Sequence, residues 1–271
     1  MKKVLTLLMI MALLLSAVAC TAAGQGDETT APKNEQTSAE ETTKQNEETV
    51  DLNAKSEGVM TYAEYAAAAV DTAVVIEAYV QAKQSWWDNK VTLYAQDLDG
   101  GYFMYNMACT EADFALLVPG TKIKVTGYKA EWAGEVEIID ATFEIIAGAT
   151  YVAEALDVTA LLDTDELIKR QNMFVSFKGM TLEASKDADG NDVPFLYKWD
   201  GSGQDGDDLY FKVSLNGKTY SFTVESYLCD KNSEVYQAVK ALKIGDKIDL
   251  EGFLYWYEGV NPHITSVAVA Q

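Results

Sequence analysis

The sequence carries one histidine, His263, and that single fact narrows the chemistry open to it. No Ser/His/Asp or Cys/His set can be assembled around one imidazole without assuming contacts that sequence cannot show. His263 follows Pro262 at the start of an apolar alternation, where a histidine reads as structural or surface-facing. There is no HExxH, no CxxC, no P-loop and no dinucleotide fingerprint. Carboxylates abound, 42 acidic against 21 basic side chains, but no pair stands apart as suited to acid–base work. The expectation is therefore no catalytic residue, no metal, no cofactor and no enzymatic activity. A hydrolase is the alternative, and it requires a cleft that joins His263 to carboxylates.

Three other groups have chemical potential. Cys109 and Cys229 could be small buried residues, or a disulfide if their surroundings face one another. Asp187, Asp189, Asn191 and Asp192 alternate like the start of a calcium loop. Glycine stands at the fourth place instead of the sixth, and Lys198 occupies the twelfth, which favours an acidic hairpin loop. The aromatic residues are the strongest lead. Trp86, Trp87, Tyr94, Tyr128, Trp132, Trp199, Tyr255, Trp256 and Tyr257 are candidate ligand-binding rings. Adjacent strand residues face opposite sides, so Trp86-Trp87 and Tyr255-Trp256-Tyr257 cannot all enter one core. Either they bind a ligand or they join two domains.

The elements that must position these rings are mostly strands, and they occur twice. Gly120-Thr-Lys-Ile-Lys-Val-Thr-Gly127-Tyr128 returns as Gly245-Asp-Lys-Ile-Asp-Leu-Glu-Gly252-Phe253, with a third glycine seven residues on, Gly134 and Gly259. Each copy follows an amphipathic stretch and a cysteine. The first unit predicts a helix over 61–70, with Thr61 and Glu64 forming a capping box, and a strand over 73–83. A hairpin over 91–96 and 102–107, a helix over 110–117 and strands over 122–129 and 135–146 follow. The second predicts a helix over 163–170 and strands over 173–183, 209–215 and 218–225. A helix over 233–242 and strands over 247–255 and 263–268 complete it. Residues 187–208 form an acidic insertion.

This order, with the glycine motif and Trp132-Ala-Gly134, resembles the OB-fold domains of bacterial exported proteins and lipoproteins. The resemblance implies a mainly β chain of two tandem five-stranded OB-fold-like barrels, each with a short helix before its fourth strand. The expected domains are 58–148 and 149–271. OB-folds mostly bind oligonucleotides or oligosaccharides on the face of strands two and three, though fold alone does not transfer function.

The N-terminus has a basic start, an apolar run over 4–15 and small residues before Cys20, a secretory signal too short to span a bilayer comfortably. It resembles a lipobox, with Ala17 where that family prefers Leu. The resemblance implies lipidation of Cys20 and an anchored, extracytoplasmic protein at the cell membrane; an ordinary cleaved signal or an uncleaved anchor are the alternatives. Residues 21–57, polar and without aromatics, read as a disordered acidic tether. The formal charge of −21 sets nucleic acid aside as a partner. The leading expectation is a non-enzymatic module for a glycan or an envelope protein. Single-stranded nucleic acid is the alternative that the fold resemblance implies.

Overall fold

The computed structural model describes residues 51–270, all within one compact unit, Glu48–Gln271. Cys20, the signal segment and residues 21–50 of the tether lie outside the described residues. No described helix is long and apolar enough to cross a membrane.

The first barrel begins with helix α1 (Tyr62–Ala67), capped as its sequence predicts. The Thr61 side chain accepts from the Glu64 backbone, and the Glu64 carboxylate accepts from Thr61. The helix stops three residues short of the predicted end. There the buried Lys129 ammonium donates to the carbonyls of Tyr65, Ala66 and Ala68 at 3.0, 2.9 and 2.8 Å, a cation placed at the negative end of the helix.

Strands β1 (Ala73–Lys83), β2 (Lys90–Gln96) and β3 (Gly101–Ala108) form a meander. Helix α2 (Glu111–Leu116) follows, then β4 (Lys122–Trp132) and β5 (Glu135–Ile146). The sheet closes in the order β1-β2-β3-β5-β4; β3 meets β5 in parallel at Met104 and Ile138. Alternate β1 residues Val74, Ile76, Ala78 and Val80 fill the interior, the period-two pattern of a strand with one face inward.

The opposite face of β1 is also covered. Residues 51–57, expected as the end of a disordered tether, instead cross the barrel wall as a strap. Lys55 Nζ pairs with Asp97 Oδ2 at 2.7 Å, Lys122 Nζ donates to Ala54 O and Tyr79 Oη to Leu52 O. The polar composition that suggested disorder is used here to pair charges half-buried in the wall.

After the short strand β6 (Leu156–Asp157), the second barrel repeats the order with β7 (Phe174–Glu183), β11 (Leu209–Leu215), β12 (Lys218–Val224), helix α3 (Glu234–Ala241), β13 (Lys247–Phe253) and β14 (His263–Val269). Its strands run β11-β12-β14-β13-β7, and β7 returns to β11. Both are therefore OB-fold-like five-stranded barrels. The helix predicted over 163–170 is replaced by 3-10 turns at Thr159–Leu161 and Leu167–Arg170. Asp163 between them has a φ of 72°, which an α-helix does not admit. The insertion is a folded appendage, with β8 (Ser185–Lys186) paired to β9 (Asp192–Val193) and β10 (Leu196–Tyr197) paired to β11.

The repeated glycines have a shared cause. At Gly127 a Cβ would lie 2.7 Å from Ile138 Cγ2 and 2.8 Å from Ile139 O; at Gly252 it would lie 2.2 Å from His263 O. Both glycines sit where the fourth strand shifts register against the fifth, the local bend that curls a small barrel.

Candidate ligand-binding cleft between the barrels

The two barrels meet along a seam built from residues far apart in sequence. Tyr94 of β2 is fully buried there. Its ring stacks on Phe253 with centroids 4.3 Å apart and planes 8° from parallel, and its hydroxyl lies 3.0 Å from His263 Nδ1. His263 in turn stacks on Tyr255 at 4.2 Å, and Phe103 meets the edge of Tyr255. Polar contacts flank this stack. Phe174 N donates to Gln96 Oε1 at 2.8 Å, Gln171 Nε2 to Gly134 O at 2.8 Å and Asn172 Nδ2 to Val136 O at 2.9 Å. Trp256 N donates to Glu135 Oε2 at 2.8 Å and Glu258 N to Ala133 O at 2.7 Å. Trp256 itself packs against the Gly134 turn. Two predicted binding rings, Tyr94 and Trp256, thus hold the seam.

Above the seam a cleft of about 590 Å³ opens, lined by Trp132, Trp199, Tyr210, Tyr255 and Tyr257 together with Asp208, Glu225, Glu258, Asn261 and His263. It shares Trp132, Tyr255 and His263 with an inner pocket of about 360 Å³ that adds Gln84, Phe103, Tyr105 and Glu137. Trp199 is 75% exposed, Trp132 56% and Tyr257 44%. Trp132 and Tyr257 lie 5.2 Å apart at 46°. Four predicted rings therefore converge: Trp132, Trp199, Tyr255 and Tyr257. Tyr105 of β3 and Tyr210 of β11, strand aromatics outside the set of candidate rings, join them.

The other three do not reach the cleft. Trp86 packs against the core of the first barrel, its Nε1 donating to Cys109 O at 2.9 Å. Trp87 projects from the adjoining turn, and Tyr128 lies exposed on β4. Strands two and three contribute both ways: Tyr94 of β2 goes to the seam, while Phe103 and Tyr105 of β3 and Tyr210 of β11 line the pocket and cleft.

The electrostatics of the site follow from burial. Desolvation pushes His263 down to about 3, so its imidazole is neutral across the physiological range. Burial, with the nearby Asp208 charge, pushes Glu225 up to about 7, against hydrogen bonds from Tyr227 and Leu228 that pull it down. The cleft does join His263 to carboxylates, as a hydrolase would need. The imidazole, however, is pinned between Tyr94 and Tyr255, and the Glu225 carboxylate is taken up by Tyr227 N, Leu228 N and Gln84 Nε2.

Cys109 is buried in the first barrel and Cys229 half-buried against the second core; both thiols are free. Asp187 Oδ1 accepts from Asp189 N and Asn191 N, closing a turn with the oxygen that a calcium ion would need. Among the described residues no group of three His, Cys, Asp or Glu side chains is placed to hold a metal.

The architecture is a pair of OB-fold-like five-stranded barrels. No family model and no curated protein matches the chain. Solved structures do resemble it at low identity. The Ifi202 HINa domain in complex with 20-bp dsDNA is 10% identical, with a TM-score of 0.34 over 73% of this chain and 98% of that one. A murine DNA-binding protein bound with dsDNA is 11% identical, TM-score 0.34, over 72% and 99%. The single-stranded DNA-binding protein from Thermus aquaticus, as a deletion mutant, is 12% identical, TM-score 0.24, over 73% and 94%.

One expectation needs correcting. Nucleic acid was set aside on net charge, yet chains similar to this one are seen in complex with double-stranded DNA. Net charge is a property of the whole surface, whereas binding is decided over a patch within about a Debye length of the ligand. The formal charge of −21 therefore does not exclude that partner class.

Proposed function

We propose that the chain is a non-enzymatic binding module, displayed on the extracytoplasmic face of the membrane through a lipid on Cys20, that takes sugar rings of a glycan in the cleft between its barrels. The observation carrying this reading is the set of partly exposed rings, Trp132, Trp199 and Tyr257, on walls fixed by the seam. Exposed aromatic faces in a rigid groove cost little to order and present apolar area to a flat ligand. Asp208, Glu225, Glu258 and Asn261 beside them offer acceptors for hydroxyl groups.

Replacing Trp132 and Tyr257 together with Ala should weaken binding of a soluble oligosaccharide at least tenfold, about 1.4 kcal/mol, read by titration calorimetry on the fragment from residue 51. The circular dichroism spectrum should not change, because both rings are half outside the core. Unchanged affinity in the double variant would sink the cleft assignment. Unpaired bases also stack on such rings, so nucleic acid is the second reading, and DNA is what the similar chains above are seen with. Oligo-dT and a duplex at low salt form its arm of the same titration. Binding of these in place of the oligosaccharides, lost in the same double variant, selects it.

The anchor is tested separately. Cys20→Ser should move the expressed protein from the membrane fraction to the soluble one and end incorporation of labelled palmitate; persistence of both would rule out the lipid.

A further inference from the structure

Glu137 lies on β5 at the inner end of the cleft, only 9% exposed, and lines the pocket with Phe103, Tyr105, Trp132 and Tyr255. No described residue donates a hydrogen bond to its carboxylate, and burial alone pushes its pKa up. Its oxygens open into the pocket, whereas the seam beside it shows a carboxylate that already accepts from protein donors. Glu135, two residues earlier on the same strand, accepts from Trp256 N and Gln171 Nε2. Within the pocket Glu137 shares the lining with rings, Gln84 and the neutral His263.

Aromatic faces are the negative end of a quadrupole and attract cations. Neither the pocket nor the wider cleft has a lysine or arginine among its lining residues, and the cleft adds Asp208, Glu225 and Glu258. Rings, an unpaired carboxylate and no competing cation together complement a positively charged organic group.

We propose that the inner pocket, with Glu137 facing its aromatic lining, binds a protonated primary amine carried on a sugar ring. This rests on the ring-binding reading above and narrows it to amino sugars. The test compares two oligosaccharides of equal length, glucosamine oligomers and their fully N-acetylated counterparts, titrated at pH 6 into the fragment from residue 51 and into Glu137→Gln.

The free-amine oligomer should bind at least tenfold more tightly than the acetylated one, and Glu137→Gln should bring the two within about twofold. The variant should melt no lower than wild type, since nothing donates to the group removed. Equal affinities in wild type overturn the amine while leaving the ring-binding reading intact. An amine preference that survives Glu137→Gln overturns the assignment to this pocket and moves the charge reading to the outer carboxylates. If neither oligomer binds at millimolar concentration, the glycan reading fails and this inference with it.

Discussion

Asp97→Ala should cost about 3–5 kcal/mol of stability, the largest single-residue loss we expect outside the cores. The carboxylate is fully buried and serves four donors. Oδ1 accepts from Asp99 N at 2.8 Å and Gly100 N at 2.9 Å, which closes the β2–β3 turn. Oδ2 accepts from Tyr102 Oη at 2.9 Å and from Lys55 Nζ at 2.7 Å, which fastens the strap. Alanine would strand two amides and a phenol and take from Lys55 its ion-pair partner, leaving that ammonium the Glu77 carbonyl, and each unsatisfied buried donor costs about 1–3 kcal/mol. Asp97→Asn keeps an oxygen for the turn but turns an NH2 toward two donors, so it should recover only part of the loss. Urea unfolding of the fragment from residue 51 measures both. Lys55→Ala should cost less, because its ammonium lies nearer solvent and the turn survives. A loss below 1 kcal/mol for Asp97→Ala would show that the strap and turn are not coupled through this group.

Stability should peak in mild acid and fall toward alkaline pH, and Glu135 should be a principal cause. Its burial pushes the carboxyl up to about 9, against donors that pull it down, from an ordinary 4.5. Between those values the native state holds a proton that the unfolded chain releases. Stability therefore falls as pH rises through that window, by at most about 1.4 kcal/mol per pH unit for one group. Glu225 acts in the same sense from 4.5 to about 7. His263 acts oppositely: its native value near 3 against an ordinary 6.5 removes stability as pH falls from 6.5 toward 3.

The geometry gives the proton a place. Glu135 Oε1 and the neighbouring Asn172 Oδ1 are both buried acceptors without partners, and an acid proton on Oε1 is the donor they lack. Glu135→Gln supplies an amide donor instead. It should leave the melting temperature at pH 5 nearly unchanged, raise it at pH 8 and flatten the decline between pH 7 and 9. Melting curves that run parallel for variant and wild type across that range would refute the assignment.

The strands of both barrels were legible because their cause is local. A run rich in Val, Ile and Tyr marks β1, the Ala133-Gly134 turn marks the start of β5, and the paired glycines mark the close approach of the fourth strand to the fifth. The 3-10 turns near Asp163 were not legible, since a left-handed backbone at one aspartate leaves an amphipathic pattern looking helical. The site was half legible. Aromatic residues singled out in the sequence include four that line the cleft, but Tyr94 and His263 meet across 169 positions, and no local signal reports such a contact. Trp86 looked like a binding residue because it stands beside Trp87, and two adjacent rings cannot both enter one core; its indole hydrogen finds the Cys109 carbonyl and the ring packs inward. Glu135 and Glu137 differ from the other acidic residues only in what the second barrel and the cleft rings place around them.

The seam also bears on how this chain can be divided or inherited. An internal duplication usually leaves two interchangeable copies, each able to survive alone. Here Tyr94 and Glu135 of one copy and Phe253 and His263 of the other are each other's interior. Severing the copies would bare a stacked aromatic face and an unanswered acid on one side and a lone imidazole on the other. Either half expressed alone should therefore need polar substitutions at the seam to stay in solution, and the repeat is a likeness of sequence without independence of its parts.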